Sequence, residues 1–198
     1  MKIRGLYAIT PDGGNTGELL GKVRAVLEGS IALLQYRRKK GNAAEARQVV
    51  ALAHQYGVPV LINDDAALAL EVGADGAHLG RDDGDFARAR KLLAGRILGA
   101  SCYADLGAAQ AAVRAGADYV AFGSVFASPT KPAAPRAPLS LFGSARTLGV
   151  PLAAIGGITL ENAPEAVAAG ADLLAVISDL FDAPDIPARA REYGRLFS

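Results

Sequence analysis

Charged, amide and small hydroxyl residues recur directly after short apolar segments along this 198-residue chain. The residues with this placement that could do chemistry are Gln35, Arg37, Lys39, Asn63, Asp64, His78, Asp83, Ser101, Ser128, Thr130, Lys131, Gly157 and Ser178. Carboxylate oxygens are preferred ligands of Mg²⁺, and Arg and Lys side chains neutralise phosphate oxygens. If the apolar segments are neighbouring strands, the set predicts a site for a metal-bridged polyphosphate.

The segment 118–131 contains the most complete set of phosphate-binding residue types. We expect a buried strand that ends at Gly123, followed by a loop with Ser128, Thr130 and Lys131. Glycine permits close approach of the backbone to a ligand, hydroxyl groups are short donors, and lysine supplies a positive charge. An isolated loop of this composition would more often be a solvated surface loop, so the interpretation depends on the position of the loop in the fold.

Each candidate residue also has a structural interpretation that the sequence leaves open. The cluster 37–40 could be a solvated charged surface, and the polar residues at 63–65 and 82–85 could begin helices. His78 lies in an apolar segment and could be a hydrogen-bonded core residue. Cys102 is expected to be a small buried residue.

The composition excludes several other classes of protein. The chain is 51% hydrophobic and only 6% aromatic, with 23 glycines, which favours a tightly packed α/β protein over a β-sandwich. A formal net charge of +1 provides no general attraction to nucleic acid or to a membrane surface. The single cysteine excludes an intramolecular disulfide framework and a cluster of cysteine metal ligands.

The start of the chain and its hydropathy bear on where the protein acts. The first residues, MKIRGLYAITPD, lack the long apolar run and the small-residue cleavage site of a signal peptide. No segment approaches the roughly 18 unbroken apolar residues that would span a membrane. We therefore expect a cytoplasmic protein that acts on small molecules, without nucleic-acid or membrane partners, and we leave a homo-oligomer open.

Eight apolar segments alternate with helical patterns and would position the candidate residues. Gly-Ala-Asp recurs at residues 73, 116 and 170, and each copy ends an alanine-rich helix and begins an apolar strand. The strands are uniformly apolar, which is typical of parallel strands that are covered on both faces. The expected strands are 3–9, 31–34, 58–62, 75–79, 97–100, 119–122, 152–155 and 173–177. After a first helix that ends near Gly29, the expected helices are 43–56, 66–72, 84–94, 105–115, 139–148, 160–169 and 185–197.

Eight β/α units in series predict an α/β fold, a compact (β/α)8 TIM barrel formed by a single domain over residues 1–198. An open doubly wound sheet is the alternative, but the first strand lacks the Gly-x-Gly-x-x-Gly turn that is common in that fold. In a barrel, the residues that follow the strands share one face, where such enzymes place their active sites. The candidate residues would then converge at this face.

Together these motifs resemble the thiamine phosphate synthase family over nearly the whole chain. The first strand, Tyr7-Ala-Ile-Thr10, is similar to that of the family, and Gln35-Tyr-Arg-Arg-Lys39 resembles its Gln-x-Arg-x-Lys signature. The other matching segments are Leu61-Ile-Asn-Asp64, Gly73-Ala-Asp-Gly-Ala-His-Leu-Gly-Arg-Asp-Asp83, Gly99-Ala-Ser101, Phe122-Gly-Ser-Val-Phe-Ala-Ser-Pro-Thr-Lys131, Ala154-Ile-Gly-Gly-Ile158 and Val176-Ile-Ser178. Their number and order make the match specific.

The resemblance implies a transferase that joins 4-amino-2-methyl-5-hydroxymethylpyrimidine diphosphate to hydroxyethylthiazole phosphate. The products would be thiamine phosphate and pyrophosphate, formed by a dissociative substitution with Mg²⁺ as cofactor. The implied pyrimidine diphosphate ligands are Gln35, Tyr36, Arg37, Arg38, Lys39, Asn63, Ser101 and Lys131. The implied thiazole phosphate ligands are Ser128, Pro129, Thr130, Gly157, Ile177 and Ser178. The metal would be held by Asp64 and Asp83, and the implied catalytic residues are Arg37, Lys39, Ser101 and Lys131.

Three positions depart from the family pattern. Asp65 stands where the family commonly has Arg, Ser128 replaces a Thr, and Tyr103 stands where many relatives have His. The related thiazole tautomerase uses such a His as a proton carrier, so Tyr103 favours the synthase over this alternative. A non-catalytic phosphate-binding barrel is a further alternative, but it would not need Asp64 together with Asp83.

Overall fold

A computed structural model describes the chain apart from residues 1–2, 40–41, 82 and 128–135. Eight strands form a closed barrel in chain order, and every neighbouring pair is parallel. They are β1 (Gly5–Ile9), β2 (Leu33–Tyr36), β3 (Val60–Asn63), β4 (Gly76–Leu79), β5 (Ile97–Tyr103), β6 (Tyr119–Gly123), β7 (Leu152–Ile155) and β8 (Leu173–Val176). The predicted (β/α)8 barrel is therefore confirmed, and the open sheet is excluded because β1 pairs with β8.

Helices surround the barrel and connect its strands. They are α1 (Thr16–Leu27), α2 (Ala43–Gln55), α3 (Ala66–Glu71), α4 (Phe86–Leu92), α5 (Leu106–Arg114), α6 (Ser140–Ala145), α7 (Ala163–Ala169), α8 (Ser178–Phe181) and α9 (Ile186–Arg195). The carboxylates of Asp65 and Asp85 cap α3 and α4 by accepting hydrogen bonds from backbone N–H groups, so these two acids have the structural role that the sequence left open. Across the described residues, the helices are too short or too polar to cross a membrane.

Several elements differ from the sequence-based expectation, and one of them is β5, which continues to Tyr103 where the sequence predicted a strand over 97–100. β2 begins at Leu33 and includes Gln35 and Tyr36, whereas the sequence predicted a strand over 31–34 that runs into a polar segment. The strand continues because the glutamine side chain lies in the barrel interior with a hydrogen-bond partner, which allows a polar residue in a buried strand. The short helix α8 was not predicted, since its four residues are too few to show helical periodicity.

The core has two layers, one inside the barrel and one between the strands and the helices. The interior cluster consists of Tyr7, Ile9, Leu33, Leu61, Tyr119, Ala121, Ala153, Leu173 and Ala175. In the outer layer, alanines on the inner faces of the helices are fully buried, for example Ala46, Ala109 and Ala166. Small side chains let the helices approach the sheet closely, which fits a chain with eight units in 198 residues.

The repeated Gly-Ala-Asp segments form similar hydrogen bonds at the end of the barrel where the strands begin. The carboxylates of Asp75, Asp118 and Asp172 accept hydrogen bonds from the backbone N–H groups of Val60, Leu98 and Leu152, at 2.7, 2.8 and 3.0 Å. Each bond joins the start of one strand to the preceding strand of the barrel. The repeat therefore links neighbouring strands through hydrogen bonds at this end of the barrel, which we call the base.

Candidate active site

The described candidate residues lie at the carboxyl ends of the strands, on the face of the barrel that we call the mouth. Gln35 lies in β2, Asn63 ends β3, and Ser101 lies near the end of β5. The candidates that follow strands are Arg37, Lys39, Asp64, Asp83, Gly157, Ile177 and Ser178. The predicted residues Ser128, Pro129, Thr130 and Lys131 lie outside the described residues. Because β2 to β5 are adjacent in the barrel, the diphosphate and metal candidates on them are brought together.

Side chains at the end of β2 alternate between the barrel interior and the helical layer. The Gln35 side chain donates to the hydroxyl of Tyr7 inside the barrel, whereas Tyr36 packs in the outer layer. Next along the chain, the Arg37 guanidinium forms an ion pair with Asp12 at 2.9 Å and is partly exposed. The other oxygen of Asp12 accepts a hydrogen bond from the backbone N–H of Lys39 at 2.9 Å. Asp12, which sequence reasoning missed, thus orders the segment that carries both cations.

Tyr36 and Arg38 belong to a separate cluster around a buried carboxylate. The Tyr36 hydroxyl donates to Glu45 at 2.8 Å, and Arg38 forms an ion pair with the same carboxylate at 3.0 Å. Thr16 donates to its other oxygen at 2.7 Å. Burial raises the pKa of Glu45, but the hydrogen bonds from Thr16, Tyr36 and Arg38 outweigh that effect and lower it. The geometry therefore favours a structural role for Tyr36 and Arg38, and their contact with substrate stays a prediction.

Asp64 and Asp83 form a pair of carboxyl groups at the mouth. Burial, a hydrogen bond with Asp83 and repulsion from its charge raise the pKa of Asp64 to about 6, while Asn63 and Arg37 oppose the shift. Asp83 also accepts a hydrogen bond from the backbone N–H of Gly80 at 2.7 Å. The Asp64 backbone has φ of +62°, a left-handed conformation that is uncommon outside glycine. Two carboxyl groups are thus held together against their mutual repulsion.

This pair fits a magnesium ion better than a metal that is bound only by protein side chains. Within the described part of the chain, no group of three or more His, Cys, Asp or Glu side chains is arranged to hold a metal ion. Mg²⁺ commonly binds through one or two carboxylates, keeps several waters and shares phosphate oxygens of a substrate. Asp64 and Asp83 supply that number and type of ligand, and a bound cation would relieve their repulsion.

A chain of hydrogen bonds connects the mouth to the barrel interior. The Ser101 hydroxyl lies 2.8 Å from Nε2 of His78, whose Nδ1 lies 2.7 Å from the hydroxyl of Tyr119. The Tyr119 hydroxyl lies 2.8 Å from that of Tyr7, which also accepts the hydrogen bond from Gln35. Burial lowers the pKa of His78 to about 4 despite the charge of Asp83, so this histidine is neutral near pH 7.

Sequence reasoning identified Gln35, His78 and Ser101 of this hydrogen-bond chain but not the roles of its two tyrosines. His78 is 7% exposed and hydrogen-bonded, as expected for a core histidine. Tyr119 was expected only as a core residue, and the partnership with Tyr7 was missed. A β-carbon at Gly99 would lie 2.2 Å from the ring of Tyr119, so the glycine makes room for that ring. Two tyrosines in otherwise apolar strands are the sequence signal that could have indicated these bonds.

The loops after β6 and β7 approach each other closely on the opposite side of the mouth. The backbone N–H groups of Val125 and Phe126 donate to Ile155 and Gly156, each at 3.0 Å. Gly157 has φ of +64°, and a β-carbon there would lie 2.2 Å from the carbonyl oxygen of Ala127. Because β7 and β8 are neighbours, Gly157 lies beside the segment that carries Ile177 and Ser178. The described part of the predicted thiazole phosphate site is therefore contiguous.

Tyr103 and Cys102 end β5 and have different environments. Tyr103 is 45% exposed, and the Arg81 guanidinium lies 5.0 Å from the centroid of its ring. Cys102 is buried as expected, and burial raises the pKa of its thiol to about 12, so it is no candidate nucleophile.

The fold and the mouth together define a class of protein, a (β/α)8-barrel enzyme with carboxylates, cations and small donors arranged for a phosphorylated substrate. The chain belongs to the thiamine monophosphate synthase family, whose sequence model matches residues 6–180. The predicted family is thereby confirmed.

Comparison with individual proteins agrees with the family assignment. The chain is 57% identical to a thiamine-phosphate synthase of Aromatoleum aromaticum over 99% of this chain and 97% of the relative. It is 54% identical to a thiamine-phosphate synthase of Azoarcus sp. over 100% and 98% of the two chains. The solved thiamine phosphate pyrophosphorylase of Pyrococcus furiosus superposes with a TM-score of 0.86 at 31% identity, covering 98% of this chain and 96% of that one. These similarities confirm the predicted class of enzyme, a transferase of the synthase type.

Proposed function

We propose that this chain condenses the pyrimidine diphosphate with hydroxyethylthiazole phosphate to give thiamine phosphate and pyrophosphate. The observation that carries the proposal is the Asp64–Asp83 pair beside Arg37, in a barrel that resembles thiamine-phosphate synthases over almost its full length. Both substrates are charged phosphates, which supports our expectation of a cytoplasmic enzyme with small-molecule partners.

The reaction needs stabilisation of charge more than transfer of a proton. Breaking the CH2–O bond leaves an electron-rich aminopyrimidine cation and a highly charged pyrophosphate leaving group. Groups that stabilise the departing charge therefore lower the barrier most. The attacking thiazole nitrogen carries no proton, so a general base is not required, and the buried neutral His78 and the buried Cys102 are consistent with that chemistry.

The two sides of the mouth would bind different substrates. Arg37, Asn63 and Ser101 lie on the side of β2 to β5 and would bind the diphosphate, together with Lys39 and Lys131. Asp64 and Asp83 would hold Mg²⁺, which when bound neutralises charge on the diphosphate oxygens. On the side of β7 and β8, the backbone near Gly157, Ile177 and Ser178 would bind the thiazole phosphate together with Ser128 and Thr130.

The test is a reaction of the purified protein with both substrates and Mg²⁺. We expect thiamine phosphate and pyrophosphate in equal amounts, measured by chromatography and by a phosphate assay after pyrophosphatase treatment. Omission of either substrate, or chelation of the metal, should abolish both products. Interconversion of thiazole tautomers without condensation would contradict the proposal in favour of the tautomerase, and ligand binding without turnover would favour a non-catalytic barrel.

A further inference from the structure

The hydrogen-bond chain from Gln35 to Ser101 satisfies all of its donors in only one direction. The Gln35 amide nitrogen can only donate, so the Tyr7 hydroxyl accepts from it and has one hydrogen left for Tyr119. The Tyr119 hydroxyl accepts that bond and has one hydrogen left for Nδ1 of His78, 2.7 Å away. A hydroxyl oxygen can accept two hydrogen bonds, so Tyr119 could also donate to Tyr7. That arrangement leaves the Tyr7 hydrogen without a partner among the described residues, whereas the direction away from Gln35 satisfies every donor.

His78 transmits this direction to the mouth. A neutral imidazole has a single N–H, and since Nδ1 accepts from Tyr119, the hydrogen must lie on Nε2. Nε2 then donates to Oγ of Ser101 at 2.8 Å. Among the residues that the structure describes, His78 is the hydrogen-bond partner of the Ser101 hydroxyl, and no second one accepts from it. Its hydrogen is therefore left for a ligand in the mouth.

We propose that His78 is a positioning residue that makes Ser101 a hydrogen-bond donor toward an anionic phosphate oxygen in the mouth. Identification of that oxygen as part of the diphosphate rests on the function proposed above. A donor that is oriented before the substrate arrives needs no reorganisation when negative charge develops on the leaving group. With the opposite direction, Ser101 would donate to His78 and present its lone pairs to the anion, which would be repulsive.

The tautomer of His78 can be measured without reference to activity. The chain has two histidines, and His54 is partly exposed in a pair with Asp75. The substitution His54→Gln therefore leaves His78 as the single imidazole signal. Long-range ¹H–¹⁵N correlation spectra should show a neutral ring with its hydrogen on Nε2 near pH 7. A ring with its hydrogen on Nδ1 and none on Nε2 would overturn the proposal. Tyr119→Phe, which removes the donor to Nδ1, should abolish the fixed tautomer.

Two matched substitutions test the effect of this histidine on Ser101. In His78→Gln the amide nitrogen can take the position of Nε2 and donate to Ser101, whereas in His78→Asn it reaches only the position of Nδ1. We expect His78→Asn to lower kcat/KM for the pyrimidine diphosphate by about tenfold or more, and His78→Gln to restore most of the loss. In a Ser101→Ala background neither substitution should cause a further loss. Equal losses in both variants, which persist in that background, would contradict a positioning role.

The outcomes separate this proposal from the proposed function. If wild-type protein makes no thiamine phosphate but the hydrogen of His78 lies on Nε2, the direction of the hydrogen-bond chain is confirmed and the proposed reaction is wrong. Calorimetric binding of inorganic pyrophosphate with Mg²⁺ then replaces kcat/KM as the readout for the two His78 variants. If synthesis proceeds while the hydrogen lies on Nδ1, the proposed function stands and the positioning role is wrong. Circular dichroism of each variant shows whether it is folded.

Discussion

Two consecutive arginines at the end of β2 have different surroundings, although they appear equivalent in the sequence. The ion pair of Arg37 with Asp12 is about one-third exposed at the mouth, at 32% for both side chains. The ion pair of Arg38 with Glu45 is almost fully enclosed, at 10% and 4%. Successive side chains of β2 point to opposite faces. The two residues that follow the strand likewise have partners on different sides, so adjacent arginines can have unrelated roles. We therefore expect Arg37 to act on substrate and Arg38 to act on stability.

Replacing each arginine by alanine should separate these roles. Arg37→Ala should lower kcat/KM by about 10²–10³-fold because the mouth loses charge that stabilises the leaving group. Its free energy of unfolding should change by less than about 1 kcal/mol, since partly exposed ion pairs contribute little. Arg38→Ala should lower the free energy of unfolding by about 2–3 kcal/mol, because the buried Glu45 loses its cation. Steady-state kinetics and urea denaturation measure both effects.

The outcome for Arg38 also decides an expectation that comes from the family resemblance. If Arg38→Ala lowers kcat/KM as much as Arg37→Ala while its stability is unchanged, Arg38 contacts the diphosphate and the structural assignment is wrong. Tyr36→Phe is a suitable companion variant, because it removes one hydrogen bond to Glu45 without removing a charge.

Asp64 is destabilising when it is ionised and no metal is bound. Its pKa is raised from 3.8 to about 6, so the folded state holds the proton more tightly than the unfolded state does. The stability from this proton is fully present below the unfolded value and is lost as the pH rises from about 4 to about 6. Binding sites commonly hold like charges close together, which lowers the stability of the ligand-free protein.

Asp64→Asn should therefore stabilise the metal-free protein at pH 7. We expect a gain on the order of 1 kcal/mol, discounted because the side chain is partly exposed, and a weaker fall in stability between pH 4 and pH 6. Asparagine tolerates the left-handed backbone at this position, so strain should not obscure the result. Urea denaturation with a chelator measures the gain. Adding Mg²⁺ should raise the melting temperature of the wild type more than that of the variant, and equal shifts would argue against Asp64 as a ligand.

At the scale of elements, the close contact between the β6 and β7 loops depends on a glycine. Gly157 combines a left-handed backbone with a position 2.2 Å from a backbone oxygen for any added β-carbon. Gly149 has a similar φ of +72° but has no atom within 4 Å of the corresponding position. Alanine substitutions at these two glycines therefore distinguish the effect of backbone strain from the effect of steric contact.

Gly157→Ala should raise the KM for the thiazole phosphate by about tenfold or more, because the two loops must move apart at that side of the mouth. The KM for the pyrimidine diphosphate should change less. Gly149→Ala is the matched control, and it should cost about 1 kcal/mol of stability without a change in either KM. The same rise in KM for both glycine variants would mean that strain, and not contact between the loops, causes the effect.

The regular elements could be predicted because their signals are local. Alanine-rich helices that end at glycine and uniformly apolar strands recur along the chain, and the order of the eight units was therefore visible. The chain from Gln35 to Ser101 could not be predicted, since its members come from five strands and each bond forms only when the barrel closes. The role of Asp12 was missed for the same reason, because its partners Arg37 and Lys39 are distant in sequence.

For the whole molecule, stability and chemistry are concentrated at opposite ends of the barrel. The base holds the three aspartates of the repeat, each bonded to the backbone of a neighbouring strand. The mouth holds the paired carboxyl groups, the exposed cations and the left-handed residues Asp64, Gly156 and Gly157. Substitutions at the base should therefore alter folding and leave turnover unchanged.

Asp118→Ala tests this separation of the two ends. The substitution removes a hydrogen bond to the backbone N–H of Leu98 and an ion pair with Arg90 at 2.8 Å. We expect a loss of about 1–2 kcal/mol in the free energy of unfolding with kcat/KM unchanged. Asp118→Asn keeps an acceptor for the N–H and should lose less. A large loss of turnover in a folded Asp118→Ala protein would show that the base and the mouth are coupled.

The alternation along β2 also limits how this gene can change in length. Deleting or inserting one codon within the strand would turn every following side chain to the other face. Gln35 or Arg37 would then occupy the position of Tyr36, and Glu45 would lose the hydroxyl that donates to it. Two-codon changes preserve the facing pattern, although they shift the register against β1 and β3. In a library of codon deletions and insertions that is selected for activity, variants with an odd-numbered change of length within β2 should therefore be depleted most strongly.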